Sequence, residues 1–236
     1  MLVWLRGLAK APAIVYKSPD MNDAALQHLS QADPILGDLI AKVGPCGLKP
    51  DHTRSPYQAL VQAVAHQQLN GKAANTILAR FIALFPHGRF PSAQEVHDVD
   101  ITKLTGVGFS RAKSGYVKEI ARMALEGVVP GTGQIKRMSD EEIIERLTTI
   151  KGVGRWTVEM LLIFSLGRPD VLPVDDFGIR TGFGIVYRKR KLPEPKVILK
   201  HGERWKPYRS IASWYLWRAV DLASEAKKKN EGTTWP

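Results

Sequence analysis

A single cysteine, Cys46, stands among the 236 residues, which excludes an internal disulfide, a cysteine-rich zinc site and a four-cysteine iron–sulfur cluster. Long apolar runs are missing as well: none reaches the roughly 18 residues that a membrane-crossing helix needs. The opening MLVWLRGLAKAP is apolar in flavour, but charges interrupt it and no small-residue cleavage site comes after it, which predicts mature sequence in a cytoplasmic or nuclear protein. Acids are scarce too. Asp and Glu total 23 against 34 Lys and Arg, a formal net charge of +11 with a pI near 9.8. Such a balance points to a polyanionic partner, because many Lys and Arg can displace condensed counterions from a phosphate backbone; the plainer alternative is that the charge serves only solubility.

Alternation with a period of two is almost absent, with weak hints near 183–188, so strands contribute little. Helical signals fill the space. Ser55-Pro56-Tyr57-Gln58 combines an N-cap serine, a proline at the first helical position and a glutamine placed for a capping box, ahead of Leu60, Val61, Val64 and Ala65; this predicts a helix over about 55–67. Ile77, Leu78, Phe81, Ile82 and Phe85 repeat the spacing until Pro86, and Ser92-Ala93-Gln94-Glu95 and Ser139-Asp140-Glu141-Glu142 are two further capping boxes. Trp214, Trp217, Val220 and Asp221 fall on a last helix beginning near Ser210. The expected fold is all-α. Breaks occur at VVPGTGQ (128–134) and GRPDVLP (167–173), RKRKLPEPK (188–196) is a charged connection, and the tail KKKNEGTTWP is expected to be solvated or disordered, a flexible end.

Within LTTIKGVGRWTVEM (147–160), a helix ending near Thr149 and another starting near Arg155 make IKGVG a tight hairpin. Glycines accept backbone angles closed to other residues and let phosphates approach the main chain, where N–H groups at the next helix start would meet them. Lys151 and Arg155 add charge, and such contacts position a nucleic acid without reading its sequence. A glycine-capped corner with no ligand is the alternative. Leu104-Thr105-Gly106-Val107-Gly108 echoes the hairpin, as a shared way of turning a corner rather than a duplication. Twenty residues beyond Trp156, in VLPVDDFGIR, comes Asp176. An acid beside a groove for phosphates repels its ligand, so it suggests catalysis; the alternative is that both acids cap the following helix, a role that suits Asp175 and leaves Asp176 in surplus.

These residues carry a family resemblance. LTTIKGVGRWTVEMLLIF, DVLPVDDFGIR, ERWKPYRSIASWYLWRA and VAHQQLNGKAAN (64–75) are similar to motifs of the helix-hairpin-helix DNA glycosylases, most closely the 3-methyladenine DNA glycosylase II branch, and lie in that family's order between about 55 and 219. The resemblance implies two all-α lobes with the active site in a cleft: 54–168, ending in the helix-hairpin-helix at about 143–166, and a second lobe combining 1–53 with 169–236. It implies Asp176 as the catalytic carboxylate, with Asp175 as helix cap and support. Trp156 stands where lyase members carry a Schiff-base lysine. An indole cannot be that nucleophile, so base removal without strand cleavage is expected.

Trp217, Trp156 and Phe177 are candidates for the base pocket, where aromatic faces attract a cationic alkylated purine; packing in the core is the alternative for each. Met160 occupies a place where relatives can have a pocket aromatic. Gln68, Leu69 and Asn70 match the stretch that probes the minor groove while the base is flipped, or else form an exposed polar helix end closed by Gly71. Gly152, Val153, Gly154, Lys151 and Arg155 would meet the phosphates. The backbone carbonyls of Thr148, Ile150 and Val153 match those that hold a monovalent cation, Na+ or K+, in the family; no cofactor is otherwise required, and no iron–sulfur cluster. From Arg188 to Arg209 there are nine Lys or Arg and two Glu, which line a DNA channel or are a solvated surface. With so short an N-terminal part, the β-rich domain of the larger bacterial members is not expected.

The function implied is a monofunctional glycosylase that removes alkylated purines such as 3-methyladenine and 7-methylguanine in base-excision repair. Its partner is double-stranded DNA with alkylated bases, not a membrane. The protein is expected to be a monomer, in the bacterial cytoplasm or nucleoid or in a eukaryotic nucleus. The rival readings are a noncatalytic helix-hairpin-helix DNA-binding module and a bifunctional glycosylase with lyase activity.

Overall fold

The computed structural model describes residues 19–69 and 71–231. Among the described residues every element is helical, and no helix is long and apolar enough to cross a membrane. The chain divides into two compact units, one of residues 50–167 and one of 19–49 with 168–231.

The first unit begins with α3 (Pro56–His66), following α1 (Pro19–Ala32) and α2 (Pro34–Val43) of the other unit. Ser55 caps α3 as the sequence predicts: its hydroxyl accepts the Gln58 N–H while the Gln58 side chain accepts the Ser55 N–H, so two orphan donors are satisfied together. Buried Ala59, Leu60, Val61, Ala63, Val64 and Ala65 make α3 apolar on nearly all sides, as befits a helix at the centre of a bundle. Around it lie α4 (Gly71–Ala83), α5 (Ala93–Asp98), α6 (Ile101–Gly106), α7 (Arg111–Leu125), α8 (Thr132–Ile135), α9 (Asp140–Leu147) and α10 (Arg155–Leu161). The capping boxes at Ser92 and Ser139 both form. Phe81 meets Phe85, Phe90 and Phe109 edge to face with ring centroids 5.6–5.7 Å apart, a geometry that satisfies the ring quadrupoles.

After α10 the chain widens into a π-helical turn, Leu162–Leu166, ending at Gly167 with φ +67°. The Phe164 carbonyl accepts the Asp51 N–H at 2.8 Å, and the Ser165 carbonyl meets His52 Nδ1 at 3.1 Å. Carbonyls near the end of this turn thus anchor the segment that leads into α3.

The second unit adds α11 (Phe177–Val186), α12 (Pro195–Gly202), a 3₁₀ turn (Glu203–Trp205) and α13 (Arg209–Glu231). The hint of strand near 183–188 is overturned: α11 runs to Val186, because Ile179, Gly182 and Phe183 present one helical face to the core. The tail is corrected in part. Helix α13 continues through Glu231, and positions 232–236 lie outside the described residues.

Helices α11 and α13 pack against each other so closely that a Cβ on Gly182 would fall 2.1 Å from the Leu216 carbonyl oxygen. Only glycine permits that approach. A buried carboxylate organises the rest of the unit. Asp33 caps α2 through the Leu36 N–H and accepts from Tyr187 Oη at 2.6 Å, His201 Nε2 at 2.7 Å and Trp205 Nε1 at 3.0 Å. Burial by itself would raise its pKa, but the hydrogen bonds from His201, Tyr187, Trp205 and Leu36 hold the carboxyl well below the usual range.

Candidate active site and DNA-contact elements

In the second unit the Pro-containing loop before Asp176 is tied to the start of α13. Arg209 grips Asp170 with two bonds, Nε to Oδ1 at 2.7 Å and Nη2 to Oδ2 at 2.9 Å, a fork geometry that fixes direction as well as distance. Ser210 takes part three times: its N–H donates to the Pro169 carbonyl at 2.9 Å, its hydroxyl donates to the Arg168 carbonyl at 2.7 Å, and that hydroxyl accepts the Val171 N–H at 2.9 Å. Sequence reasoning missed Arg209, Ser210 and Asp170 as supports, since partners 39–42 residues apart leave no local pattern.

The loop delivers Asp176 to the N-terminus of α11. Asp176, and not Asp175, is the cap: its Oδ1 accepts the Ile179 N–H at 2.8 Å, while Asp175 is exposed. The correction has a simple cause. The loop turns through the Asp176 N–H to Pro173 carbonyl bond at 3.0 Å, so the helix starts one residue later than a cap at Asp175 would require. The same Oδ1 accepts Trp217 Nε1–H at 2.8 Å. Asp176 is 6% exposed and Trp217 5%, so a buried carboxylate oxygen is held by two N–H donors from two helices. Gly178 gives the indole its place; a Cβ there would lie 2.8 Å from Trp217 Cδ1. Phe177, beside Asp176, is 41% exposed.

In the first unit the hairpin forms as expected between α9 and α10. Gly152 has φ +90°, and a Cβ on it would meet the Tyr116 ring at 2.2 Å, so conformation and space both require glycine. Val153 is buried, and its N–H closes the turn on the Ile150 carbonyl at 3.0 Å. Gly154 is the N-cap of α10, without a side-chain cap hydrogen bond and with nothing within 4 Å of where a Cβ would stand. Lys151 is exposed. Arg155 has acidic company that the sequence did not reveal: Glu141 binds its guanidinium at 2.9 and 3.1 Å and Glu159 at 3.3 Å. Trp156 is half-buried, whereas Met160 is 3% exposed and belongs to the core of this unit.

Gln68 and Leu69 form the turn after α3. Gln68 is exposed with φ +56°, and Leu69 is half-buried; Asn70 lies outside the described residues. Among the described residues no group of three or more His, Cys, Asp or Glu could hold a metal ion. Thr148 is the C-cap of α9, where the dipole favours a cation; the last carbonyls of the helix itself are taken locally, Ile144 by the Thr148 N–H, Arg146 by the Thr149 hydroxyl and Leu147 by the Ile150 N–H.

Known proteins share this fold. A family model described as HhH-GPD superfamily base excision DNA repair protein matches residues 61–207. A Schizosaccharomyces pombe protein named DNA-3-methyladenine glycosylase 1 is 44% identical over 203 residues, 85% of this chain and 88% of its own length. A solved structure of S. pombe 3-methyladenine DNA glycosylase in complex with abasic DNA superposes with a TM-score of 0.79, covering 85% of this chain and 98% of that one at 44% identity. A Bacillus halodurans DNA-3-methyladenine glycosidase structure gives a TM-score of 0.75 at 30% identity, over 90% of this chain and 94% of that one. A match over most of the chain, together with the hairpin and the capped aspartate, leads to one conclusion: the chain belongs to the HhH-GPD superfamily of base-excision DNA repair proteins.

Proposed function

We propose that the protein is a monofunctional DNA glycosylase that hydrolyses the N-glycosidic bond of alkylated purines, 3-methyladenine and 7-methylguanine among them, in base-excision repair. The observation that carries this reading is Asp176, whose carboxylate is buried, capped onto a helix and gripped by the Trp217 indole. As the C1′–N bond breaks, the sugar gains oxocarbenium character. A fixed carboxylate stabilises that charge without reorganising, and it orients the water that attacks C1′ and accepts its proton. The alkylated purine is already cationic and leaves as a neutral base. In this scheme Trp217, itself buried, acts through Asp176 as a positioning residue, and the exposed ring of Phe177 offers aromatic surface to a cationic base, worth about 1 kcal/mol. Trp156 in place of a lysine supports release without strand cleavage.

The hairpin Lys151–Arg155 serves the phosphates of duplex DNA. Gly154 leaves the first amides of α10 without a side-chain cap, and the Arg155 charge is offset by Glu141 and Glu159, so the backbone N–H groups and Lys151 carry the contact. Gln68, Leu69 and Asn70 fill the space left by the extruded base. Na+ or K+ at the carbonyls of Thr148, Ile150 and Val153 fits the chemistry of that helix end and would supply charge beside a phosphate. The protein acts as a monomer, where the cell keeps its DNA.

The test is Asp176→Asn, incubated with methylated genomic DNA while the released bases are followed by chromatography. Release should fall by about a thousandfold or more with duplex affinity retained. An unchanged rate overturns the catalytic assignment and favours the DNA-binding module. Borohydride trapping of a covalent enzyme–DNA adduct would overturn the monofunctional reading.

A further inference from the structure

One helix stands behind both DNA-contact elements of the first unit. At its first turn, Lys113 of α7 donates from Nζ to the carbonyl of Gln67 at 2.5 Å and to that of Ala65 at 3.1 Å. These are carbonyls at the C-terminal end of α3, where a helix leaves its acceptors unpaired and a cation is favoured. Three residues further along α7, and therefore on the same face, Tyr116 lies against Gly152 of the hairpin. Gln67 closes the triangle: its Nε2 donates to the Gly152 carbonyl at 3.1 Å and to Thr157 Oγ1 at 3.3 Å. The next residue, Gln68, holds φ +56°, a left-handed conformation that a side chain other than glycine adopts only where its surroundings impose it.

We infer that Lys113 and Gln67 are positioning residues for base extrusion: they lock the 67–69 turn to the hairpin, so that a phosphate seated on the hairpin sets where Leu69 enters the duplex. The inference rests on the reading of Gln68 and Leu69 as the wedge. Lys113 is half-buried and burial lowers its pKa below the ordinary lysine value. A cation drawn partly out of water and spent on two backbone carbonyls, not on an acid, is there to hold the backbone.

The experiment uses the full chain and a duplex with 2-aminopurine beside a tetrahydrofuran abasic analogue, whose fluorescence reports insertion into the stack. Base release from methylated DNA and the salt dependence of duplex affinity are measured in parallel. Lys113→Met and Gln67→Met should lose most of the fluorescence change and lower kcat about tenfold, with KM and the salt slope kept, as Leu69→Ala should do directly. Lys113→Arg, which retains two donors, should restore the signal and serves as the informative variant if Lys113→Met does not fold. Native fluorescence and kcat in Lys113→Met and Gln67→Met, with both reduced in Leu69→Ala, overturn the positioning role alone. Native behaviour of Leu69→Ala overturns the wedge reading beneath it. A loss confined to duplex affinity, with native fluorescence, would show a purely structural role and overturn the inference.

Discussion

At 106–108 and again at 152–154 the chain spells Gly-Val-Gly, and in each place one helix ends and another begins a few residues later. At the first corner the positive φ falls on the second glycine, Gly108 at +111°; at the second it falls on the first, Gly152 at +90°. The two are therefore different turns, and the sequence echo does not reflect a shared way of turning the chain. The helix starts beyond the glycines differ as well. Ser110 caps α7 by accepting the Lys113 N–H at 3.2 Å, so that corner is closed by its own side chain. Gly154 caps α10 with no side-chain bond at all. Donors that a serine would have satisfied stay available to an acceptor from outside the protein. In the function proposed above, phosphate is met at the corner whose following helix lacks a side-chain cap, so the missing cap distinguishes it more than the glycines do.

Substitutions can break or sharpen that contrast. Gly152→Ala should have the largest effect, since it combines a left-handed backbone with a clash against Tyr116; a loss of about 3 kcal/mol or more, roughly 10 °C in Tm, is expected in thermal unfolding. Gly154→Ala separates binding from stability. Its φ of −91° suits any residue and its Cβ meets nothing in the protein, so Tm should hold within about 2 °C while affinity for undamaged duplex, measured by fluorescence anisotropy, weakens about tenfold, or ~1.4 kcal/mol. Equal affinity would mean that phosphates do not approach this backbone. Ser110→Ala should do the reverse, costing about 1 kcal/mol of stability without moving the anisotropy curve. Gly106→Ala is the mildest: it is exposed at the end of α6 with open space around it, and calorimetry should show a gain of up to about 1 kcal/mol.

Legibility in the sequence divides in the same way between local and distant. The capping boxes at Ser55, Ser92 and Ser139, the start of α10 at Arg155 and the start of α13 near Ser210 are all encoded within a few residues, and each forms. The family motifs likewise pointed to Asp176 and the hairpin because those stretches are contiguous. Which of two adjacent acids caps α11 depends on the turn that the Asp176 N–H closes on the Pro173 carbonyl, and the residues that hold that loop, Arg209 and Ser210, lie 39–42 residues from their partners in it. The side-chain partners of Asp33 lie 154–172 residues away, and Glu141, which neutralises Arg155, lies 14 residues before it across the hairpin. Nothing in the local sequence marks Lys113. Only the fold shows that its ammonium is spent on two carbonyls.

The contact between Gly182 and Leu216 has a consequence for tolerance to mutation. Leu216 precedes Trp217, and Gly182 lies six positions after Asp176, so the place where α11 and α13 touch also sets the reach of the indole to the carboxylate. Even a methyl group on Gly182 must push the helices apart, and the 2.8 Å bond between Trp217 and Asp176 is among the first things lost. In a survey of every single substitution scored by resistance to an alkylating agent, Gly182 should rank with Asp176 as a position that accepts no replacement, though it carries no side chain and takes no part in the chemistry.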